Sequence, residues 1–486
     1  MSKEILNLEP KEVWKNFYSL TQIPRPSKHE DAIQDFMMKF GQDLGLETIK
    51  DKVGNIIIRK PATAGMENRM GIVMQGHLDM VPQKNSGTNH DFTKDPIDAY
   101  IDGDWVTAKD TTLGADNGMG VAAAMALLAS TDIVHGPLEA LFTSDEETGM
   151  TGAFGLESGI LQGDILMNLD SEDEGELYVG CAGGIDASIS FDIKNEAVPA
   201  NMAAYKLDVT GLKGGHSGVD IPLGRGNSNK LLFRFLKAAA KHHGMLISYL
   251  QGGSLRNAIP RESYATVVVP MDKKADFESC VKKYESIFVA ELNAVEPDLS
   301  FKCIAADMPA EVMTSVDMWR VINSIYGAPN GVIRMSNDIE GVVETSTNLA
   351  IIQSRGDKLT VEALIRSSVE TSKDDLAEMF VSIFEMAGAK VVLDGAYPGW
   401  KPNMDSKILK SMQGTYEKMY GFIPKIMVIH AGLECGLLGS VYKNWDMISF
   451  GPTIRFPHSP DEKVNIETVQ KFWDFFVETL KSIPVK

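Results

Sequence analysis

Three times in its first 170 residues this chain runs a short, mostly apolar segment up to a histidine or a carboxylate. Met70 to Gln75 leads into His77 and Asp79. Leu138 to Thr143 leads into Asp145, Glu146 and Glu147, and Ile165 to Leu169 into Asp170. Apolar residues at consecutive rather than alternate positions belong to strands buried on both faces. Such strands need helices above and below them, which is the layout of a parallel α/β sheet. The intervening sequence supplies the helices. Lys28 to Leu44 reads as an amphipathic helix, and Asn55 to Arg59 as a further short strand. Asp116 and Asn117 stand at the entrance of Gly118 to Leu128, a helix apolar along most of its length.

From about Ile193 the pattern changes. Tyr205 to Val209, Ser263 to Val269 and Lys358 to Arg366 read as strands. Asn229 to Lys241, Asp276 to Leu292 and Lys373 to Met386 read as helices. The stretches ATVVVPMDKKADFESCVKKYESIF and TVEALIRSSVETSKDDLAEMFVSIF share one plan of apolar strand, polar turn and amphipathic helix. They are read as similar halves of one inserted α+β lid domain. After Val391 the earlier rhythm returns, with a helix at Lys407 to Tyr420, a strand at Met447 to Phe450 and a last helix capped by Asn465. Val469, Phe472, Trp473, Phe476 and Leu480 form its apolar face. The expected fold is α/β, a doubly wound, mostly parallel sheet in two segments (1–190 and 391–486) around a lid domain at 191–390. A length of 486 residues suits such a division, since single domains run ~100–200 residues.

Charge narrows the partners. With 47 basic against 66 acidic side chains the net charge is −19, which opposes binding to nucleic-acid phosphates or anionic membranes. No run reaches the ~18 apolar residues of a membrane span, and the opening MSKEILNLEP has no basic-then-apolar signal segment. The four cysteines, Cys181, Cys280, Cys303 and Cys435, are too scattered for a metal knuckle or a disulfide framework. A reducing, cytoplasmic location is expected.

In an open α/β sheet, ligands bind beyond the carboxyl ends of the strands. His77, Asp79, Asp116, Asp145, Glu146, Glu147, Asp170 and His458 all fall at strand ends or sheet-edge turns. Singly, each has an ordinary explanation: a structural histidine, a helix cap at Asp116, a solvated acidic triplet, a rigid turn between Pro457 and Pro460. Jointly they crowd negative charge at the end of an apolar sheet, where repulsion and desolvation disfavour it. Divalent cations remove that conflict. Two imidazoles and three carboxylates, one of them bridging, can hold two ions ~3.5–4 Å apart. Mixed N/O ligation without thiolate favours zinc, with manganese or cobalt as substitutes.

These residues resemble the pattern of the di-zinc aminoacylase and carboxypeptidase superfamily. They read His77-Leu78-Asp79, Asp116-Asn117-Gly118, Glu146-Glu147, Asp170 and His458. GGHSGVDI, LRNAIPRE, VVETSTNLA, YPGWKPN and HAGLECG resemble one branch of it, the aminoacyl-histidine (cytosol non-specific) dipeptidases. The resemblance implies a catalytic domain with an inserted lid, two Zn²⁺ per chain, a homodimer and a small peptide substrate. It makes Asp116 the bridging ligand, with His77 and Asp170 on one ion and Glu147 and His458 on the other. Asp79 would orient His77, and Glu146 would be the general base for a metal-bridged hydroxide. His216 would meet the oxyanion, Arg366 and Asn257 the substrate's C-terminal carboxylate, and Glu434 its amine. Where many superfamily members carry D-x-R, this chain has Met271-Asp272-Lys273. The implied reaction is hydrolysis of dipeptides with a free N-terminus, Xaa-His among them. The alternative is a related amidohydrolase acting on N-acyl amino acids or tripeptides.

Overall fold

In the computed structural model, which describes residues 3–486, these mostly apolar segments form the centre of one sheet. Leu138–Thr143, Ile72–His77, Ile165–Asn168 and Asp446–Ser449 lie side by side in that order and run parallel. Every residue of the first three is buried, as cover on both faces requires. Ile56–Lys60 and then Glu47–Lys50 add antiparallel strands at one flank. Glu176–Cys181 pairs antiparallel at the other, and Lys425–Ile429 completes eight strands. The register sets His77 beside Thr143, Gln75 beside Asn168, and Asn168 beside Ser449. The four carboxyl ends therefore share one edge of the sheet.

Helix Ala115–Ala129 packs on this sheet and against helix Lys11–Thr21, where the Asn16 amide donates to the Ala122 carbonyl. The last helix, Ile466–Lys481, starts at Asn465, whose side chain accepts the Thr468 N–H. Its buried face is Val469, Phe472, Phe475, Phe476 and Leu480. Phe475 takes a core place beside Phe450, while Trp473 sits at the margin, edge-on to Phe476. A separate four-stranded sheet pairs Ile454–Arg455 with Lys463–Asn465, then Trp105–Ala108, then Ala99–Asp102. The hairpin loop between its first two strands carries His458.

Two compact units result. The first holds the residues up to Cys181, with Trp400–Val428 and Leu433–Lys486; the second holds Ala182–Gly399 with Ile429–Gly432. The second unit is built on a nine-stranded antiparallel sheet. Met202–Thr210, helix Ser228–His243, Leu246–Gly252, Ser263–Pro270, helix Lys274–Leu292 and Ser300–Ala305 form one βαββαβ half. Gly183–Asp192, helix Ser315–Gly327, Val343–Arg355, Lys358–Ser367, helix Glu370–Met386 and Lys390–Tyr397 form the other. In each half the strands lie in the order fourth, first, third, second. The second strands join the halves, Gln251 opposite Gln353 and Gly252 opposite Ile352. One half is spliced into the other, between its first strand and first helix. The two similar stretches of sequence are the third strand and second helix of each half.

All four helices press on one face of this sheet over a single apolar core. Phe235 lies at its centre, with ring centroids of Phe301, Tyr284 and Phe277 at 4.9, 5.4 and 5.7 Å. Phe235→Ala should therefore destabilise this unit by about 3–5 kcal/mol. Urea unfolding read through the fluorescence of Trp319, which packs on the same core, measures the loss.

Candidate metal centre

Asp116 stands between two imidazoles. His77, at the end of its strand, places Nε2 3.0 Å from Asp116 Oδ1 and 3.4 Å from Asp170 Oδ1. His458 places Nε2 3.2 Å from Asp116 Oδ2 and 3.0 Å from Glu147 Oε2. Each carboxylate oxygen of Asp116 thus faces one histidine. Two groups form, His77–Asp116–Asp170 and Asp116–Glu147–His458, with donor atoms in each within 4.8 Å of one another. Glu146 joins His77 and Glu147 in a third such group. All these residues belong to the first unit.

A buried hydrogen-bond frame holds them. The Asp79 carboxylate accepts the N–H groups of Glu146 (3.0 Å) and Glu147 (3.2 Å) and the Ser27 hydroxyl (2.8 Å). His77 Nδ1 lies 3.2 Å from the Asp79 carbonyl and 3.3 Å from its Oδ1. Asp79 therefore steadies His77 and, through main-chain bonds, the following acidic turn. The Asn117 amide donates to the Leu169 carbonyl at 2.7 Å, tying the Asp116 turn to the Asp170 loop. The Asp116–Asn117 peptide is cis.

Two buried charges that the sequence does not single out complete the frame. Arg25 donates to the carbonyls of Leu78 and Asp79, each at 2.9 Å, and of Gly114. Glu462 accepts four consecutive main-chain N–H groups, Leu113 (2.7 Å), Gly114 (2.9 Å), Ala115 (2.7 Å) and Asp116 (3.2 Å). Both act through backbone groups, which leave no motif. The only signal in the sequence is a charge among residues expected to be buried.

The electrostatics follow from burial and crowding. Burial alone would lower the His77 value, but Asp170, Asp116 and Asp79 outweigh it and raise it well above the usual range. Hydrogen bonds to Asp116 and Glu147 push His458 up to about 11. Burial would raise Asp116, yet the two imidazoles hold it well below the usual carboxylate range. Asp170, buried among acids, rises to about 6, and Glu146 rises well above its ordinary value, burial being the main cause. Glu147 Oε1 is buried with no hydrogen-bond partner, and Asp170 Oδ1 meets only His77 Nε2, at 3.4 Å. Buried carboxylate oxygens so short of donors, beside neutral-capable imidazoles, are a set that fits divalent cations such as zinc.

Other candidates gather in the second unit. His216 lies in the two-residue strand Gly215–His216, paired with Ala258–Ile259. Its Nδ1 accepts the N–H groups of Gly218 (3.2 Å) and Val219 (3.0 Å), which leaves the proton on Nε2. Burial and Arg366 both lower its pKa. Asn257 is exposed, its carbonyl accepts the Ser217 N–H, and Asn348 braces the loop by donating to the Ala258 carbonyl. Arg366 is only 4% exposed, yet it donates to neutral hydroxyls alone, Tyr397 at 2.9 Å and Ser217 at 3.4 Å. Among the described residues it has no carboxylate ion-pair partner. His430, whose Nε2 lies 2.7 Å from the Ser346 hydroxyl, is pushed down to about 3 by burial and then by Arg366.

Glu434 opens helix Glu434–Val441 in the first unit and is fully enclosed. Its Oε2 accepts from the Thr143 hydroxyl (2.8 Å) and the Gln75 amide, while Oε1 has no partner. Burial raises it to about 7.

A model of peptidase family M20/M25/M40 matches residues 73–482. The cytosol non-specific dipeptidase of Escherichia coli (strain K12) is 49% identical over 485 residues, covering 99% of this chain and 100% of that protein. The crystal structure of an aminoacylhistidine dipeptidase from Vibrio alginolyticus is 51% identical, with a TM-score of 0.95 over 100% of this chain and 99% of that one. Aminopeptidase PepT from Bacillus cereus shares the fold at 17% identity, with a TM-score of 0.62 over 98% and 99% of the two chains. No described helix is long and apolar enough to cross a membrane.

Raised imidazole values set the sign of a pH effect. At neutral pH the metal-free protein carries protons on His77 and His458, and a bound cation must displace them. Affinity should rise with pH, with net release of protons on binding at pH 7. Zinc titration calorimetry in buffers of different ionisation enthalpy counts them.

Proposed function

The chain belongs to peptidase family M20/M25/M40, and on that premise we propose that it is a metal-dependent dipeptidase acting on peptides with a free N-terminus, Xaa-His peptides among them. The observation that carries this reading is Asp116, with one oxygen turned to each of two imidazoles, flanked by Asp170 on one side and by Glu147, with an unsatisfied buried carboxylate oxygen, on the other. The dipeptidase relatives at 49% and 51% identity support the substrate class.

His77, Asp116 and Asp170 would hold one zinc, and Asp116, Glu147 and His458 a second, with manganese or cobalt as substitutes. When bound, such a pair lowers the pKa of water toward ~7 and polarises a carbonyl. Glu146 is the general base. Its carboxyl, raised by burial, takes a proton as water attacks the scissile carbonyl and gives it to the leaving amine nitrogen as the C–N bond breaks. Asp79 keeps the His77 ring and the Glu146 turn in register. His216, with its proton on Nε2, is a neutral donor suited to the oxyanion. Arg366, a buried cation lacking an anion, suits the C-terminal carboxylate, with the exposed Asn257 amide assisting. The free Oε1 of Glu434 is the acceptor for the substrate amine. A homodimer in the cytoplasm completes the reading, on the family resemblance and the scattered reduced cysteines.

The deciding experiment is a metal-dependent assay over a dipeptide panel including β-alanyl-histidine, an N-acetylated dipeptide and a tripeptide. Dipeptides should be cleaved, chelator should abolish the activity, and the blocked and longer substrates should be poor; preference for the N-acetylated substrate overturns the proposal. Glu146→Gln should keep its metal and lose ~10²–10⁴-fold in kcat, as elemental analysis beside steady-state kinetics reads. Arg366→Ala should raise KM for free dipeptides far more than for C-terminally amidated ones. Equal effects on both would remove the arginine from carboxylate binding.

A further inference from the structure

The segment that opens helix Ala115–Ala129 is a turn rather than regular helix, since Asp116 and Asn117 depart from helical geometry, and no side chain of its own caps it. Its N-cap is Gly114, in the left-handed conformation and with no side chain to offer. The main-chain N–H groups of such a turn have no helical or sheet ladder to join, and burying them unpaired is costly. Here the partner comes from Glu462, 2% exposed, whose Oε2 takes the N–H groups of Leu113 and Gly114 and whose Oε1 takes those of Ala115 and Asp116. An ordinary cap would stop at one or two bonds from a neighbouring residue. This one takes four, from 346–349 residues further along the chain.

The origin of the carboxylate matters as much as its bonds. Glu462 follows His458 by four residues in one tight loop, where the Glu462 N–H donates to the Ser459 carbonyl and the Thr107 hydroxyl donates to the Glu462 carbonyl at 2.7 Å. That loop reaches Asp116 twice. His458 Nε2 meets its side chain at Oδ2, and Glu462 Oε1 meets its main-chain N–H. Phe456 and His458 both hold positive φ, 55° and 59°, a conformation that non-glycine residues adopt only when their surroundings impose it. Arg25 grips the opposite side of the same turn through the Gly114 carbonyl.

We infer that Glu462 is a positioning residue of the metal centre: by pinning the Asp116 main chain to the loop that carries His458, it sets the spacing between the shared carboxylate and the second imidazole. It touches neither substrate nor ion. The inference rests on the metal-dependent reading above and specifies what makes that site rigid.

Glu462→Gln and Thr107→Val test it in the full-length protein. Gln keeps the shape but turns an NH₂ toward two N–H donors; Val removes only the bond that holds the Glu462 carbonyl. Zinc affinity is measured by chelator competition, with kcat and KM on a dipeptide alongside. Expected are a 10–100-fold loss of zinc affinity in Glu462→Gln, the usual range for a residue supporting a ligand, and a roughly 2–10-fold loss in Thr107→Val, the worth of one hydrogen bond. In both, kcat should fall at nearly constant KM. A lowered Tm with wild-type zinc affinity and kcat overturns the inference, leaving Glu462 a structural cap. Should Glu462→Gln not fold, Thr107→Val decides by the same readings. Wild-type protein that binds no zinc and cleaves no dipeptide overturns the functional reading and this inference together, and is told apart by the wild-type control.

Discussion

Negative charge held out of water is the condition around which the first unit is arranged. Asp79, Asp116, Glu146, Glu147, Asp170 and Glu434 lie at or near one edge of a sheet whose central strands are wholly buried. Unopposed, such a set would repel itself and draw up protons. The protein answers with two imidazoles around Asp116 and with main-chain N–H groups aimed at Asp79 and Glu462. Each neutralising contact also fixes a position, so electrostatic relief and geometric order come from the same bonds.

The parallel register then explains why these residues meet. Strands Ile72–His77, Leu138–Thr143 and Ile165–Asn168 end in step, so the residues just after them emerge together. The second unit obeys a different rule. Two βαββαβ halves share one antiparallel sheet and one core, and the candidate residues His216, Asn257 and Arg366 come from strand ends and a loop braced by Asn348. A guanidinium enclosed without an anion is as informative there as an orphaned carboxylate oxygen is in the first unit.

How much of this is legible in the sequence depends on how each contact is made. Strands buried on both faces announce themselves by short, mostly apolar runs, and the acids behind them are visible for that reason. The third strand and second helix of each lid half are visible because both are long and periodic. The edge strand Glu47–Lys50 is half exposed and carries no such signal. Nor do the two- and three-residue strands that hold the His458 loop, too short to show any period. The splice of one half into the other separates Gly183–Asp192 from its own helix by more than a hundred residues, a distance no local pattern spans. Arg25 and Glu462 bond to backbone, and the backbone is the same at every residue. Trp473 and Phe475 exchange their expected places because both border the apolar stripe and only the packing against Phe450 chooses between them.

The glycine start of helix Ala115–Ala129 has a consequence for how the molecule comes into being. Its donors wait for an acceptor made 346–349 residues later, beside the second imidazole. During synthesis on the ribosome, the early segments can lay down their strands while the Asp116 turn still lacks both partners. A fragment truncated before residue 458 would own acids without the geometry that makes them selective. The Asp116 turn therefore acquires its side-chain and main-chain partners together, when the segment carrying His458 and Glu462 has been made.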